Sequence, residues 1–384
     1  MNVSVVNYYT TRFGELWNMS LTQLVSEAIE GALKNANLEK DQVDAVFFGN
    51  MLAGVLENNL NMPSKISSIL ERNVPAFRVE AACASGGIAV HLAHQYLLSG
   101  AAKTVLVVGA EKMNDYSPEE VTEALSAASS GEEQQAGLTF PGLYAMMAQE
   151  YLRKYKYSEE HLAYVSYKNH YHGSLNDKAH FQKKLELSSI LKSAYVASPL
   201  KVLDASPISD GASALVLTTD DAIIKKSKYS LNILATEVAT DTIALKDRKF
   251  IDGIQATQIA AEKAFKTAQL KRPDIGVAEV HDCFTIAELF AMEDLGFWKK
   301  GDAGQQMKTL STMLGNGGDL IVNPSGGLKA GGHPVGATGV KQVGELFLQL
   351  TNQAGARQVK APKHGLAHNV AGSGGTAVVT IVGN

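Results

Sequence analysis

The sequence predicts an α/β protein made of two similar halves, with a long insertion in the first half. Residues 24–48 and 256–280 both have the pattern of an amphipathic helix, a short turn and a strand, at an offset of 232 positions. A second pair of segments, 211–219 and 374–382, has the pattern of apolar strands entered through small residues. Because alternating strands and helices favour parallel sheets covered by helices, we expect two such units packed together.

The insertion follows from the unequal spacing of matching positions in the two halves. Cys83 and Ala214 are 131 positions apart, whereas His333 and Ala377 are 44 apart, which leaves a surplus of 87 residues in the first half. A segment rich in Tyr, Lys and His, residues 142–172, is predicted to be helical, and an insertion of this size is expected to cover or bind something. The predicted units are an N-terminal half at 1–113 plus 203–228, an inserted loop domain at 114–202, and a C-terminal half at 229–384.

Composition and charge narrow the class of protein. The chain has 384 residues, 45% of them hydrophobic and 19% charged, which is typical of a globular protein with an ample core. A net charge of −4 gives no support for binding nucleic acid or a membrane surface. No apolar run approaches 18 residues, so no membrane insertion is expected. Two cysteines 200 positions apart suit a reducing compartment, and we expect a cytoplasmic location.

Cys83 lies between a strand-like segment, 77–80, and an apolar run with helical spacing, 88–97. At such a corner free backbone N–H groups converge and the helix dipole is positive, so we expect a lowered thiol pKa and a reactive cysteine. Free cysteines are also commonly buried and inert, and a structural role for Cys83 stays open on this segment alone.

A glycine-rich segment, 323–339, holds six glycines in seventeen residues and is predicted to be a sharply turning loop. Pro334 suits the first turn of a helix, which would place His333 at a helix start. A phosphate cradle is the alternative, although neither the P-loop nor the dinucleotide glycine spacing is present. Under the repeat, His333 falls near the place of Cys83 in the other half, and a cysteine paired with a histidine is an activated nucleophile.

Two further segments carry polar groups where strands end. His281-Asp282-Cys283 follows the predicted strand 277–280, at the edge where ligands bind in α/β folds. A metal site or a structural histidine with a buried thiol are the alternatives for this cluster. The second segment, 368–375, is a glycine-rich loop that could offer backbone N–H groups to an anion or could be a tight turn between strands.

Taken together these segments resemble the thiolases, most closely the sterol-carrier-protein-type thiolases and their bacterial and archaeal relatives. The resemblance implies two repeated βαβαβαββ halves that form a five-layer αβαβα core, with an inserted loop domain. It covers nearly the whole chain and rests on motifs in the family's order: Ala82-Cys83-Ala-Ser-Gly86, Glu111-Lys-Met113, Thr139-Phe-Pro-Gly-Leu-Tyr144, Val165-Ser-Tyr-Lys-Asn-His170, Ser209-Asp-Gly-Ala212, His281-Asp-Cys-Phe284, Asn323-Pro-Ser-Gly-Gly327 and Gly332-His-Pro-Val-Gly-Ala-Thr-Gly339.

The resemblance also implies roles for individual residues. Cys83 is expected to be the acylated nucleophile and His333 the base that takes its proton. His281 is expected to donate, with His333, to a thioester oxygen, and the backbone N–H groups of Cys83 and Gly372 to hold the acyl-enzyme oxygen. Common thiolases carry a second reactive cysteine in the C-terminal loop, where this chain has none. In the sterol-carrier-type group the second cysteine comes from the His-Asp-Cys-Phe motif, so the resemblance implies the acid/base role for Cys283.

The expected reaction is acyl transfer between Cys83 and coenzyme A, either cleaving 3-ketoacyl-CoA or condensing acetyl-CoA. Coenzyme A and acyl-CoA are substrates, and neither a permanent cofactor nor a metal is expected. A homodimer or homotetramer is expected, with a small acyl-CoA-binding protein as a possible partner. The alternatives are a decarboxylating ketosynthase and a thiolase-like subunit that is active only with a partner. Residues expected to bind substrate are Asn323, Phe140 and Met146, with Tyr144 and Met147 as further candidates for the pocket.

Overall fold

The computed structural model of the protein describes residues 2–384. The strands over this range are β1 (Ser4–Thr10), β2 (Ala45–Gly49), β3 (Ala76–Val79), β4 (Thr104–Glu111), β5 (Tyr195–Ala197), β6 (Leu200–Lys201), β7 (Gly211–Thr218), β8 (Leu231–Thr240), β9 (Ile275–Glu279), β10 (Ile321–Val322), β11 (His364–Ala371) and β12 (Thr376–Gly383). The α-helices are α1 (Leu21–Ala36), α2 (Met62–Leu70), α3 (Ser85–Leu98), α4 (Pro118–Ser126), α5 (Gly131–Gln135), α6 (Phe140–Tyr155), α7 (Glu159–Gly173), α8 (Leu187–Leu191), α9 (Asp221–Lys226), α10 (Gln255–Ala268), α11 (Thr285–Asp294), α12 (Ala303–Lys308) and α13 (Thr338–Leu350).

Ten strands form one continuous sheet that consists of two copies of the same five-stranded design. The first copy has the order β3-β2-β4-β7-β1 and the second has β10-β9-β11-β12-β8. In each copy the first three strands of that order are parallel and the last two pair antiparallel. Strands β1 and β8 join the copies through the pairs Ser4 with Asn232 and Val5 with Leu231, and the Ile233 N–H donates to the Val3 carbonyl oxygen beside them at 2.9 Å. The prediction of two repeated halves is confirmed.

The helices divide into three layers around the two sheet halves. Apolar residues of α1 and α2 pack on the outer face of the first half, and those of α10 and α11 pack on the outer face of the second. Buried residues of α3 and α13 share one core with strands from both halves, so these two helices form the central layer. The result is the expected five-layer αβαβα arrangement.

The two central helices approach each other through glycines at their N-terminal ends. A Cβ atom on Gly339 would overlap the backbone nitrogen of Gly87, and one on Gly86 would lie 2.7 Å from the carbonyl oxygen of Gly336. Real Cβ atoms do not come this close to backbone, so only glycine permits the contact. The loop before α3 and the loop before α13 are thereby held side by side.

The segment between β4 and β7 contains α4 to α8 and the small β5–β6 hairpin. The prediction of one helical stretch over 142–172 is wrong in one respect, because two helices, α6 and α7, occupy this range. Lys156 ends the first in a left-handed conformation with φ 57°, and Ser158 is the N-cap of the second. Among the described residues, no helix is both long and apolar enough to cross a bilayer.

Candidate active site

Cys83 lies in a tight turn that links β3 to α3. Ala82, directly before it, has a φ of 47°, which is a strained conformation for a residue with a side chain. The hydroxyl of Ser85 donates to the Ala82 carbonyl oxygen at 2.6 Å and accepts the Ala81 N–H at 3.0 Å, so the first residue of the helix holds the turn. This geometry presents the Cys83 side chain to a cavity between the two halves.

The expected lowering of the Cys83 pKa is wrong. Burial raises the pKa of this thiol to about 12, against the opposing effect of the Gly372 and Cys83 backbone N–H groups that point at its sulfur. The helix start does stabilise a thiolate, but removal from water costs the anion more. Before substrate binds, Cys83 therefore holds its proton at neutral pH and needs a base to remove it.

His333 is placed to be that base. The Cys83 sulfur and one ring nitrogen each of His333 and His281 lie within 4.8 Å of one another. Burial lowers the pKa of His333 to about 3, so its imidazole is neutral at physiological pH. A neutral thiol and a neutral imidazole face each other, and the proton can move when the sulfur attacks.

Thr338 determines which nitrogen of His333 is free. Its hydroxyl donates to the carbonyl oxygen of Pro334 at 3.0 Å, and its oxygen lies 2.7 Å from Nδ1 of His333. Since the hydroxyl proton is already donated, Nδ1 must carry the imidazole proton, which leaves the Nε2 lone pair for Cys83. The prediction that Pro334 begins the helix is wrong, because α13 begins at Thr338 and Pro334 accepts the first turn's hydrogen bonds.

Asn369 determines the tautomer of His281 in the same way. Its amide oxygen accepts the Gly87 N–H at 3.1 Å, which fixes the orientation of the amide group. Its Nδ2 then donates to the Cys83 carbonyl oxygen at 3.0 Å and to Nδ1 of His281 at 3.2 Å. His281 must therefore carry its proton on Nε2, which is buried and has no hydrogen-bond partner among the described residues. An unpaired donor beside a nucleophile is suited to bind an oxygen that gains negative charge.

Cys283 lines the same cavity. Burial raises the pKa of its thiol above the ordinary range, while a hydrogen bond with the Tyr144 hydroxyl opposes the rise. Tyr144 also donates to the carbonyl oxygen of Gly372 at 3.0 Å. The Tyr144 hydroxyl thus lies next to both the Cys283 thiol and the Gly372 loop, which faces Cys83.

The cavity has a volume of about 200 Å³ and is mainly apolar. Phe140 lines it, as predicted for a substrate-binding residue, but Met146 does not: its side chain is 44% exposed on the far side of α6. The lining residues are Cys83, Met113, Thr122, Leu125, Phe140, Pro141, Tyr144, Ala205, Ser206, Pro207, Ile208, Cys283, Phe284, His333, Val335 and Gly372.

Asn323 also lies outside the cavity lining, contrary to its predicted contact with substrate. It is fully buried, accepts the Val280 N–H at 2.8 Å and donates to Glu288 Oε2 at 2.8 Å. Because Val280 directly precedes His281, Asn323 holds the end of β9 in place. Its position supports a role in orienting His281 without contacting the substrate.

A buried polar network holds the segment that carries His281 and Cys283. The carboxylate of Asp282, between them, accepts the Leu328 N–H at 2.6 Å and the amide of Asn169 at 2.7 Å. Asn169 also donates to Glu288, which forms a fully buried ion pair with Lys168 at 3.0 Å. Helix α7 of the insertion therefore supports the site through Lys168 and Asn169, which lie in the motif Val165–His170 that the sequence analysis names without assigning it a role.

Comparison with known proteins shows which family the chain belongs to. The family model described as "Thiolase, N-terminal domain" matches residues 3–221, and the one described as "Thiolase C-terminal domain-like" matches residues 238–384. An acetyl-CoA acetyltransferase of Methanothermobacter thermautotrophicus is 44% identical over 382 residues, covering 99% of each chain. A second, of Methanocaldococcus jannaschii, is 42% identical over 395 residues and covers 99% of this chain and 98% of its own.

More distant relatives agree with this assignment. Sterol carrier protein 2 of Gallus gallus is 32% identical over 99% of this chain and 71% of its own. Among solved structures, an "Ltp2-ChsH2(DUF35) aldolase" superposes with a TM-score of 0.84 at 21% identity, covering 99% of this chain and 97% of its own. Human mitochondrial 3-ketoacyl-CoA thiolase superposes with a TM-score of 0.75 at 20% identity, covering 100% and 98%. With two family models that together span almost its whole length, the chain belongs to the thiolase family of acyltransferases.

Proposed function

We propose that the protein cleaves 3-ketoacyl-CoA with coenzyme A, or condenses two acetyl-CoA molecules in the reverse direction, through an acyl group carried on Cys83. Coenzyme A enters as a substrate and not as a resident cofactor. The observation that carries the proposal is the convergence of Cys83, His333 and His281 within 4.8 Å, with Cys283 in the same cavity.

In the cleavage direction, Nε2 of His333 takes the proton of Cys83 as the sulfur attacks the 3-keto carbon. The backbone N–H groups of Cys83 and Gly372, which oppose the rise in the pKa of the Cys83 thiol, would hold the oxygen of that carbon. His333, now protonated, and Nε2–H of His281 hold the thioester oxygen of the departing acetyl-CoA enolate. Donors of this kind contribute about 3–4 kcal/mol each to lowering the barrier.

Cys283 completes the cycle by moving protons. Its thiol gives a proton to the α-carbon of the enolate, which releases acetyl-CoA and leaves Cys283 as a thiolate. That thiolate takes the proton of an incoming coenzyme A thiol, whose sulfur then removes the acyl group from Cys83. Run backwards, the same groups form a carbon–carbon bond.

The size of the cavity supports short acyl groups. Sites for drug-sized ligands have volumes of about 300–1,000 Å³, and the space around Cys83 is about 200 Å³. The two archaeal relatives are named acetyl-CoA acetyltransferases, which agrees with acetyl and acetoacetyl substrates. Thiolysis across a ladder of 3-ketoacyl-CoA lengths should give the highest kcat/KM at four carbons, and a maximum at long chains would contradict the proposal.

Two cysteine variants test separately the acetylation of Cys83 and the proton transfer by Cys283. Cys283→Ala should leave acetylation of Cys83 by acetyl-CoA measurable in a single turnover while thiolysis falls by several orders of magnitude. Cys83→Ala should abolish both, and iodoacetamide labelling of the native enzyme should be blocked at Cys83 by prior acetylation. Unchanged thiolysis in the Cys283 variant would refute its role. Turnover of a malonyl thioester without need of Cys283 would instead indicate a decarboxylating ketosynthase.

An assembly of two or four copies is supported by the free edge of the large sheet. Strand β3 ends the sheet and has no partner on its outer side among residues 2–384, and Phe77 on it is 42% exposed. Unpaired edges of this kind favour pairing with another chain. Light scattering of the purified protein should give a dimer or tetramer, and replacing Phe77 by Asp should shift it toward monomer.

The proposal also includes a small acyl-CoA-binding partner protein and a reducing compartment for the enzyme. The structural neighbour named "Ltp2-ChsH2(DUF35) aldolase" has a second component in its name, which supports a partner protein for this chain. Acetyl-CoA exchange by the pure chain would show that no partner is needed, whereas exchange restored only by an added partner would favour a partner-dependent subunit. Cys83 and Cys283 must both stay free thiols, which supports a reducing compartment such as the cytoplasm.

A further inference from the structure

Tyr144 occupies a position between the two thiols that the proposed mechanism does not yet use. It lies on α6 of the insertion, its side chain is buried, and its ring packs on that of Phe284 with centroids 4.7 Å apart. Its hydroxyl reaches the cavity, where it donates to the carbonyl oxygen of Gly372 at 3.0 Å. The ring contact fixes the side chain, so only the hydroxyl proton is free to rotate.

Cys283 lines the same cavity and is followed directly by Phe284, on which the Tyr144 ring packs, so the Tyr144 hydroxyl lies near the Cys283 sulfur. Tyr144 also opposes the rise that burial causes in the pKa of the Cys283 thiol. It therefore has two possible acceptors in the cavity, the Gly372 carbonyl oxygen and the Cys283 sulfur. A neutral thiol accepts hydrogen bonds weakly, whereas a thiolate accepts them strongly. The preferred acceptor of Tyr144 must change when Cys283 loses its proton.

We propose that Tyr144 is a catalytic residue that stabilises the Cys283 thiolate by turning its O–H from the carbonyl oxygen of Gly372 to the sulfur. The proposal rests on the acid/base role proposed above for Cys283. Without a donor, a buried thiolate would be strongly disfavoured, and the cavity offers this phenol next to the sulfur.

The proton balance is as follows. During cleavage the S–H bond of Cys283 breaks, its proton forms the new C–H bond on the α-carbon of the acetyl-CoA enolate, and the negative charge remains on sulfur. The O–H bond of Tyr144 stays intact throughout and only its acceptor changes. When the incoming coenzyme A thiol returns a proton to Cys283, the hydroxyl turns back to Gly372.

A small set of titratable groups acts on Cys283 and Tyr144. Cys83 and Asp282 act on Cys283, and Cys83 and Arg248 act on Tyr144. His281 and His333 lie across the cavity and are neutral, since burial lowers the pKa of each. Between about pH 7 and 9.5 no imidazole changes its charge, and a change in Cys283 reactivity over that range reports its own thiolate fraction.

The test uses the full chain with Cys83→Ser, which leaves Cys283 as the only cysteine. In this background, Tyr144→Phe should raise the Cys283 pKa by about one to two units. Alkylation by iodoacetamide at a fixed pH near 9 should then be about 10- to 100-fold slower. Arg248→Lys is the matched control, because Arg248 donates to the Ser373 carbonyl oxygen in the Gly372 loop at 2.6 Å and, within residues 2–384, makes no hydrogen bond to Cys283. Its alkylation rate should match the parent.

Activity gives the second measurement. In the chain with both cysteines, Tyr144→Phe should lower thiolysis about 10- to 100-fold while single-turnover acetylation of Cys83 stays within about threefold. Equal losses in both reactions, with Cys283 alkylation unchanged, would show that Tyr144 only positions Gly372 and would overturn the proposal. Full thiolysis by Cys283→Ala would instead refute the proposed role of Cys283, which is a different outcome.

A second variant covers the case in which Tyr144→Phe does not fold, as judged by circular dichroism. Fluorotyrosine at position 144 keeps the ring and the hydroxyl but makes the phenol a stronger donor. It should speed alkylation of Cys283 in the Cys83→Ser background. A rate equal to or below that of the parent would overturn the proposal.

Discussion

The side-chain amide of Asn369 fixes the tautomer of His281, because Nδ2 of the asparagine donates to Nδ1 of the histidine at 3.2 Å. The amide cannot rotate, since its oxygen accepts the Gly87 N–H and its nitrogen also donates to the Cys83 carbonyl oxygen. One side chain from β11 thus joins the nucleophile's turn to the donor that faces it, and it ties together the two halves of the molecule.

Asn369→Asp should reverse the His281 tautomer. A carboxylate accepts the Nδ1 proton, so Nε2 would lose its hydrogen and could no longer donate to the thioester oxygen. Loss of such a donor costs about 100- to 1,000-fold in rate. Measured by thiolysis, the variant should fall by this order, and it should add little to His281→Ala because both remove the same donor. Additive losses in the double variant would contradict the tautomer assignment.

Thr338→Val should weaken the base without removing it. The hydroxyl that accepts the Nδ1 proton of His333 at 2.7 Å would be lost in a side chain of similar shape. A buried hydrogen bond of this kind contributes about 1–1.5 kcal/mol, which corresponds to roughly tenfold in the acetylation rate of Cys83. Thr338→Ser keeps the hydroxyl and should retain most of the activity, and equal loss in the two variants would show that the methyl group matters instead.

Acetylation of Cys83 should be nearly independent of pH between about pH 5.5 and 9. Burial lowers the pKa of His333 to about 3, so the basic form is present throughout this range, and raises the pKa of Cys83 to about 12, so the thiol stays protonated. Rapid-quench measurement of acetyl transfer over this range tests the prediction. His333→Asn should lower the rate about 100- to 10,000-fold at every pH. An inflection near pH 6.5 in the native enzyme would point to an ion pair in place of the neutral pair.

The buried His172 should make the fold less stable in acid. Its Nδ1 lies 2.9 Å from the Asn323 carbonyl oxygen and its Nε2 accepts the Leu314 N–H at 2.9 Å, so the folded protein has no place for a second proton. Burial holds the pKa of His172 well below its usual value. Below about pH 6.5 the unfolded chain binds one more proton at this residue, so the stability that the neutral histidine contributes is present above that pH and is lost as pH falls.

Urea unfolding of the native protein and of His172→Gln between about pH 4.5 and 7.5 measures this effect. The slope of unfolding free energy against pH should be lower in the variant by up to about 1.4 kcal/mol per pH unit below pH 6.5. Identical slopes in the two proteins would show that His172 takes up its proton in the folded state.

Much of the architecture was accessible from the sequence because the repeat is explicit. The offset between residues 24–48 and 256–280 predicts α1 with β2 and α10 with β9, and the structure has those elements there. The helix break at Lys156 was not predictable from apolar spacing, since α6 and α7 both continue the same polar and aromatic composition. The left-handed conformation of one residue, Lys156, ends α6, and lysine is not a residue type that indicates this conformation.

The candidate site was predictable in its reactive groups and not in their surroundings. Motifs that span the chain identify Cys83 and His333, but the pKa of a thiol depends on how much water reaches it, which no local pattern reports. Met146 was expected in the pocket as an apolar residue of the insertion, yet it lies two positions from Tyr144 on one helix, and residues at that spacing point in different directions. Asn369 and Thr338 lie inside glycine-rich motifs that the sequence singled out, but their hydrogen bonds exist only once the two halves are folded.

The close glycine contact between α3 and α13 has a consequence for how catalytic ability is distributed along the chain. Cys83 stands just before one of these helices and His333 just before the other, and each belongs to a different repeat. A fragment ending near residue 228 would contain the Cys83 nucleophile without His281 or His333, and the remaining fragment would contain both imidazoles and Cys283 without that nucleophile. Neither half alone holds the nucleophile together with its base, so the proposed reaction requires both halves.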